Sequence, residues 1–261
     1  MKSPEKVIEH IVSWLKTYAT QSGMQGFVVG VSGGIDSALT STLCAKTGLP
    51  LICLEMNIHQ ESGQISRASD HISWLKDNFS NVSSHSLLLT DVYETFRKSL
   101  PHTEENEQAF LSLANTRARL RMTTLYYFAA LNRYLVAGTG NKVEDFGVGF
   151  YTKYGDGGVD LSPIADLMKS EVFLLAKTLG VIDEIQKAAP TDGLWGDNRT
   201  DEDQLGATYD ELEWAMKNIN SDISSFSERQ KKVMEIYLAL NGQNKHKMEA
   251  IPVCIIPKEL L

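Results

Sequence analysis

The chain lacks several features that would place it in a common class of protein. Its three cysteines, Cys44, Cys53 and Cys254, are far apart and form no Cys-x-x-Cys pair, so we expect buried free thiols and a reducing, cytoplasmic compartment. No apolar run reaches membrane-spanning length, and charged residues stand where a signal peptide has its apolar core, so we predict no membrane partner. Lys and Arg number 25 against 33 Asp and Glu, and the net charge of −8 argues against a nucleic-acid partner.

What the chain does contain is an alternation of short apolar strands and longer helices. At 261 residues it fits one domain, 1–261, and we predict an α/β fold: a doubly wound, Rossmann-like, mostly parallel sheet flanked by helices. The predicted strands are 27–31, 51–56, 87–89 and 134–138. The predicted helices are 3–20, 36–47, 61–79, 107–133, 163–179, 208–218 and 227–240, with a loop at 190–203 and an irregular tail after Gly242.

The N-terminal helix, within residues 1–25, precedes the first strand. Its apolar stripe comprises Val7, Ile8, Ile11, Val12, Leu15 and Tyr18. The stripe can dock on its own domain or on a partner subunit, and we slightly favour the partner.

A glycine turn follows the first strand, in the stretch Gly30-Val31-Ser32-Gly33-Gly34-Ile35-Asp36-Ser37. A strand, a glycine turn and a helix together point backbone N–H groups at one anion, and Asp36 adds a carboxylate for a phosphate-bound Mg²⁺. The Lys-Ser/Thr pair of a Walker loop is missing. The stretch resembles the pyrophosphate loop of the N-type ATP pyrophosphatases, which cleave ATP between the α- and β-phosphates; an ordinary turn between strand and helix is the alternative.

Two further stretches carry candidate binding residues. Arg117, Arg119 and Arg121 lie on the long helix, where they favour an anionic dinucleotide partner or else form a basic surface. After strand 134–138, Thr139 can donate to a nucleotide, and Glu144 can complete a Mg²⁺ site with Asp36 or simply cap a helix.

The loop from Phe150 to Pro163 contains Lys153-Tyr154-Gly155-Asp156-Gly157-Gly158-Val159-Asp160. Here the chain resembles the ammonia-dependent NAD⁺ synthetases, whose signature Lys-Tyr/Phe-Gly-Asp-Gly-x-x-Asp is intact. The resemblance runs from about residue 26 to 247 and includes Leu194-Trp195, the stretch 200–206, and Thr208-Tyr209-Asp210.

The resemblance implies a role for individual residues. Gly30 to Ser37, Thr139, Lys169 and Thr191 correspond to ATP-binding positions, and Asp36 and Glu144 to Mg²⁺ ligands. The positions that match contacts to deamido-NAD⁺ are Arg119, Lys153, Asp160, His246 and Lys247. Lys153 and Asp160 are the catalytic candidates, Asp160 to orient the nicotinate end or to accept an ammonium proton.

One departure from the family concerns Glu144. The segment from Glu144 to Lys153 is one residue longer than usual, so that either the loop bulges or Asp145 shares or takes the metal role.

The resemblance implies that the nicotinate carboxylate of deamido-NAD⁺ attacks the α-phosphorus of ATP, and that free ammonia then displaces AMP. It also implies a homodimer. The alternatives are another pyrophosphatase-type ligase, such as a GMP synthetase core or a tRNA-modifying enzyme, and a non-catalytic nucleotide-sensing module.

Overall fold

The computed structural model describes residues 1–60, 62–102, 104–190 and 200–261. Four parallel strands form one sheet in the order β3-β2-β1-β4. They are β1 (Phe27–Gly30), β2 (Leu51–Asn57), β3 (Val82–Leu88) and β4 (Leu135–Val136). The helices are α1 (Pro4–Gln21), α2 (Ile35–Lys46), α3 (Ser62–Asn78), α4 (Thr90–Ser99), α5 (Glu107–Asn132), α6 (Lys169–Thr178), α7 (Asp183–Gln186), α8 (Asp201–Leu205), α9 (Tyr209–Asn218) and α10 (Glu228–Met248).

Alternate residues of the strands pack on opposite faces of the sheet. Phe27 and Val29 belong to a core shared with α1, α2, α3 and α6, whereas Val28 packs on the other side with residues of α5. The sheet is therefore covered on both faces, and the predicted doubly wound α/β fold is confirmed.

The strand order reverses next to β1, since the chain moves from β1 through β2 to β3 and then returns to β4 on the other side of β1. At such a reversal, the carboxyl ends of the neighbouring strands leave a crevice between them, which is where ligands bind in open α/β sheets. The turn after β1 and the segment after β4 both open into this crevice.

A third core lies at the side of the sheet, where α8, α9 and α10 pack against a π-helix, Val143–Val148. Its buried side chains include Val143, Leu212 and Tyr237. The π-helix of this region positions Glu144 at the crevice.

The N-terminal helix docks within the chain. Ile8, Ile11 and Leu15 of α1 are buried in the core that includes α2 and α6. The slight preference for a partner subunit was therefore wrong for this stripe, because α2 and α6 offer an apolar surface that the stripe covers.

Several predicted boundaries were also wrong. Strand β3 begins at Val82, before its predicted start at 87, because it is an edge strand whose polar residues conceal the pattern. Helix α6 begins at Lys169 and not at 163, since the Glu171 carboxylate accepts a hydrogen bond from the Met168 N–H and caps it there. Helix α10 continues past Gly242 to Met248.

Candidate active site

The turn after β1 is shaped by hydrogen bonds of its own serines. Ser37 Oγ accepts from the Ser32 N–H at 3.2 Å and donates to the Gly34 carbonyl at 3.0 Å. Gly33 has φ +81°, and a Cβ there would lie 2.7 Å from the Gln64 carbonyl oxygen, so only glycine fits between this turn and α3. Ser32 remains exposed, which leaves the turn open on one side.

This turn forms one wall of a cavity of about 580 Å³. All eight residues from Gly30 to Ser37 line it, together with Thr139, Glu144, Lys169 and Lys247. The opposite wall is built by α5 and by the loop that contains Thr152 and Asp156. Most of the predicted ATP-binding residues thus share one cavity, while Thr191 lies outside the described residues, as do Leu194 and Trp195.

The side chain of Lys169 joins the two predicted metal ligands. Its Nζ lies 2.6 Å from Asp36 Oδ2 and 3.0 Å from Glu144 Oε1. The three side chains are largely withdrawn from solvent, with exposed fractions of 4% for Lys169, 17% for Asp36 and 15% for Glu144. Burial by itself would lower the pKa of Lys169, but the two carboxylates outweigh that effect and raise it, so this lysine is charged.

Two residues without an assigned role complete this cluster. Asn141 Nδ2 donates to Asp36 Oδ1 at 2.9 Å, and the Tyr209 hydroxyl donates to Glu144 Oε1 at 2.6 Å. The Lys169 ammonium also lies 4.6 Å from the centre of the Tyr209 ring. Both residues fall in stretches that the sequence singles out, one after β4 and one at the start of α9, but nothing local indicates which acid each one contacts.

The positions predicted to bind the dinucleotide are distributed differently. Lys153 Nζ donates to the His246 carbonyl at 2.6 Å, and the Arg119 guanidinium donates to the Lys153 carbonyl at 3.3 Å. These three residues lie together, but none of them lines the described cavity. Lys247 does line it, with its Nζ bonded to the carbonyls of Gly149 and Tyr151.

Asp160 does not line the cavity either, although its neighbour Val159 does. Its carboxylate accepts from the Tyr126 hydroxyl at 3.1 Å and from the Val136 N–H at 2.8 Å, and so ties α5 to β4. This placement gives no support to a role in accepting an ammonium proton.

The three arginines of α5 also separate. Arg121 lines the cavity and donates to the Met56 carbonyl and to Gln60. Arg117 stacks over the Tyr93 ring at 5.6 Å, so the group does not form one binding surface.

Comparisons with known proteins decide the family. The family model for NAD synthase matches residues 7–251. The NH₃-dependent NAD⁺ synthetase of Carboxydothermus hydrogenoformans is 38% identical over 80% of this chain and 84% of its own length, and that of Syntrophomonas wolfei is 34% identical over 99% of both. The chain belongs to the NAD synthase family. The predicted class of enzyme, a ligase that forms a carbon–nitrogen bond in NAD⁺ synthesis, is confirmed with it.

A solved structure agrees with this NAD synthase over its whole length. The NMN synthetase of Francisella tularensis superposes with a TM-score of 0.84 at 31% identity, covering 99% of this chain and 100% of its own. Among the helices of the described ranges, none is long and apolar enough to cross a membrane.

Glu144 and Asp145 both lie on the π-helix Val143–Val148. Within it Glu144 contacts Lys169 beside Asp36, whereas the Asp145 carboxyl occupies the space where Gly140 lacks a Cβ. Glu144 is therefore the acid of this pair that lies beside Lys169 and Asp36, and its role as the Mg²⁺ ligand stays a prediction.

The carboxyl groups of the site fit the implied Mg²⁺. Burial above all, and then the charges of Glu144, Asp156 and Asp36, raise the pKa of Asp145 to about 8. Hard oxygen donors of this kind suit Mg²⁺. Within the described residues, no group of three or more acidic, His or Cys side chains is arranged to hold an ion unaided, so Asp36 and Glu144 would need phosphate oxygens beside them.

Proposed function

We propose that this NAD synthase amidates deamido-NAD⁺ with ammonia and consumes ATP, giving NAD⁺, AMP and pyrophosphate. The observation that carries the proposal is that the glycine turn, the Asp36–Lys169–Glu144 cluster and the Thr152–Asp156 loop line one cavity. Two anionic substrates can therefore meet there with a positive charge between them.

In the first step, an oxygen of the nicotinate carboxylate attacks the α-phosphorus of ATP, and the bond to pyrophosphate breaks. The backbone N–H groups of Ile35 to Ser37, in the first turn of α2, would face the departing phosphates, because those of Ser32 and Gly34 are bonded within the turn. The charged Lys169 offsets the charge that develops. Asp36 and Glu144 would hold a Mg²⁺ ion, which supplies charge neutralisation on the phosphate oxygens.

In the second step, ammonia attacks the carbonyl carbon of the adenylated nicotinate. A proton leaves the nitrogen and AMP departs with the electron pair of the broken carbon–oxygen bond. Because neither step needs a protein nucleophile, the residues act by position and charge.

The state and the placement of the cysteines bear on the identity of the nitrogen donor. Burial raises the pKa of the Cys53 thiol to about 12 and also raises that of Cys44, so neither is a thiolate at neutral pH. Cys254 lies exposed in the C-terminal segment, and no described cysteine lines the cavity. Glutamine hydrolysis needs an activated thiol, so free ammonia is the proposed donor.

The nitrogen donor is tested with purified protein, ATP, MgCl₂ and deamido-NAD⁺. We expect NAD⁺ and AMP in equal amounts with ammonium chloride and essentially none with ammonia-free glutamine. Equal rates with both donors would contradict the proposal.

A second candidate substrate is the mononucleotide. It is favoured by the likeness to the Francisella NMN synthetase over the full chain. The values of kcat/KM for deamido-NAD⁺ and for nicotinate mononucleotide separate the two. A ratio that favours the mononucleotide by about tenfold or more, roughly 1.4 kcal/mol, would assign this chain to NMN synthesis.

A cytoplasmic homodimer is also part of the proposal. Its support is that α4 and α5 expose several large apolar side chains, which include Phe96, Phe110 and Leu131. Light scattering at micromolar concentration tests it, and a fully active monomer would refute it.

A further inference from the structure

Helix α3 packs directly against the glycine turn. The space beside Gly33 is bounded by the Gln64 carbonyl oxygen, the Ala68 backbone nitrogen and the Cβ of Arg67. The Nε of Arg67 donates to the Gly33 carbonyl at 3.3 Å. The guanidinium is therefore attached to the turn, is half-buried, and lines the cavity.

The balance of charges on the cavity wall indicates why the position of Arg67 matters. Its described cations are Arg67, Arg121, Lys169 and Lys247, and its described anions are Asp36, Glu144, Asp156 and Asp201. The wall carries no net charge by this count, whereas ATP brings several negative charges. Binding ATP therefore requires cations that can turn towards its phosphates.

The other described cations of the wall are directed elsewhere. Lys169 is bonded to Asp36 and Glu144, and Lys247 to two backbone carbonyls. Arg121 is bonded to the Met56 carbonyl and to Gln60. Arg67, by contrast, donates its hydrogen bond to the glycine turn.

The glycine turn lacks the lysine that accompanies a Walker loop. A guanidinium carries five N–H donors in a fixed fork, and the bond to Gly33 uses the Nε donor. The other four belong to the terminal nitrogens, whose geometry suits two oxygens of one phosphate.

We propose that Arg67 binds the β- and γ-phosphates of ATP and then the pyrophosphate that they become. Its role corresponds to that of the missing loop lysine, but it is supplied from α3. This inference rests on the proposed ATP-dependent function and adds a substrate-contacting residue to it.

The test compares the two products of ATP cleavage as separate probes. Inorganic pyrophosphate and AMP are titrated, each with MgCl₂, into the wild-type protein and into Arg67→Ala by calorimetry. We expect pyrophosphate binding to weaken roughly tenfold or more, as for other charge-assisted hydrogen bonds, and AMP binding to change less than about twofold. In steady state, KM for ATP rises while KM for the nicotinate nucleotide stays the same.

Three variants keep the test decisive. Arg67→Lys retains the charge without the fork and should lie between wild type and Arg67→Ala. Arg67→Gln serves if the alanine variant does not fold. Arg97→Ala is the matched control, because Arg97 lies on α4 beside Glu94 and does not line the cavity.

Two results would overturn the assignment of Arg67 alone: unchanged pyrophosphate binding, or an equal loss for AMP and pyrophosphate, which would mean that Arg67 only shapes the turn. A wild-type protein that binds neither probe would overturn the proposed function, and this inference with it.

Discussion

Asp36 and Glu144 meet at the same lysine, but the regions that carry them are built differently. Asp36 lies in the first turn of α2, directly after β1 and its glycine turn. All the residues of α2 from Ser37 to Ala45 are buried, so the helix is held by the core on every side. The strand, the turn and the helix are adjacent in sequence, and their order alone places Asp36 at the end of the sheet.

Glu144 lies on a short π-helix whose carbonyls are satisfied from a distant helix. Asn241 Nδ2 donates to the Gly147 carbonyl at 2.7 Å, Asn244 Nδ2 to the Val148 carbonyl at 2.9 Å, and Lys247 Nζ to the Gly149 carbonyl at 2.8 Å. The three donors repeat every third residue along α10 and so share one face.

Asp36 is therefore positioned by elements that are adjacent in sequence, whereas Glu144 is positioned by contacts with a helix that is distant in sequence. A change near Asp36 acts on the chemistry through a rigid support. A change in α10 reaches Glu144 through these hydrogen bonds and through the core that α10 shares with the π-helix, so it should affect stability and activity together.

The largest effect is expected at the locally built acid. Asp36→Asn removes the charge that faces Lys169 and the phosphates, so kcat should fall by about two to three orders of magnitude. The melting temperature should also fall, because both Asp36 oxygens accept hydrogen bonds, from Asn141 and from Lys169, and an amide has only one acceptor oxygen. The matched control is Asp77→Asn on the exposed side of α3, and activity within a few-fold of wild type in Asp36→Asn would refute the role.

The next effect compares the two acids of the π-helix. We expect Glu144→Gln to lower kcat by about two orders of magnitude, and Asp145→Asn to lower it by less than about tenfold, because Glu144 contacts Lys169 while Asp145 lies against Gly140. If Asp145→Asn is the damaging change and Glu144→Gln is nearly silent, the metal assignment is off by one residue.

A third prediction concerns how the stability of α2, the helix that carries Asp36, depends on pH. His71 of α3 is fully buried, and its Nε2 lies 3.0 Å from Ser41 Oγ of α2. Burial lowers the pKa of His71 to about 4, so the native state keeps the ring neutral while the unfolded chain takes up a proton below about pH 6.5. Its contribution to stability is therefore complete above about pH 6.5 and is lost as the pH falls towards 4.

The expected loss from this histidine is about 3 kcal/mol at about pH 4. Urea unfolding at neutral pH and at two acidic pH values measures it. His71→Gln, which keeps a hydrogen-bonding group without the titration, should lose less stability on acidification than wild type. Equal acid sensitivity of the two proteins would show that His71 does not titrate on unfolding.

The smallest effect is expected at the tertiary support of Glu144. Asn244→Ala leaves the Val148 carbonyl without its donor and should lower the free energy of unfolding by about 1 to 2 kcal/mol. Because Glu144 is then held less firmly, kcat should fall several-fold in the same variant. Lys245→Ala is the control, since Lys245 is exposed and pairs with Glu249 at 3.5 Å; a kcat loss in both would remove Asn244 from the argument.

The parts of the site that lie directly after a strand in the sequence could be predicted. The glycine turn, Asp36, Thr139 and Glu144 were predicted from their places after strands, and all line the cavity; Lys169, which also lines it, was predicted only from the resemblance. Arg119, Lys153, Asp160 and His246 were predicted from the resemblance, and the structure does not place them on that wall. Tyr209, Asn141 and Arg67 were missed, because a single tyrosine, asparagine or arginine on a helix or loop carries no local signal of its contacts.

The end of α10 illustrates why boundaries depend on context. Glycine is a common helix terminator, which is why the sequence predicts an irregular tail after Gly242. Yet glycine in an exposed helix interior costs only about 1 kcal/mol. The hydrogen bonds from Asn241, Asn244 and Lys247 to the π-helix offset that cost and extend the helix to Met248.

The sequence by itself determined the parallel sheet, the glycine turn after its first strand and the place of Asp36 beside that turn, because strand, turn and helix propensities act over neighbouring residues. Only the tertiary structure decided that α1 packs inward, that Glu144 and not Asp145 reaches Lys169, and that Tyr209 and Arg67 join the site. Those outcomes depend on groups that are far apart in sequence, whose proximity is set by burial of apolar surface and by the pairing of buried polar groups.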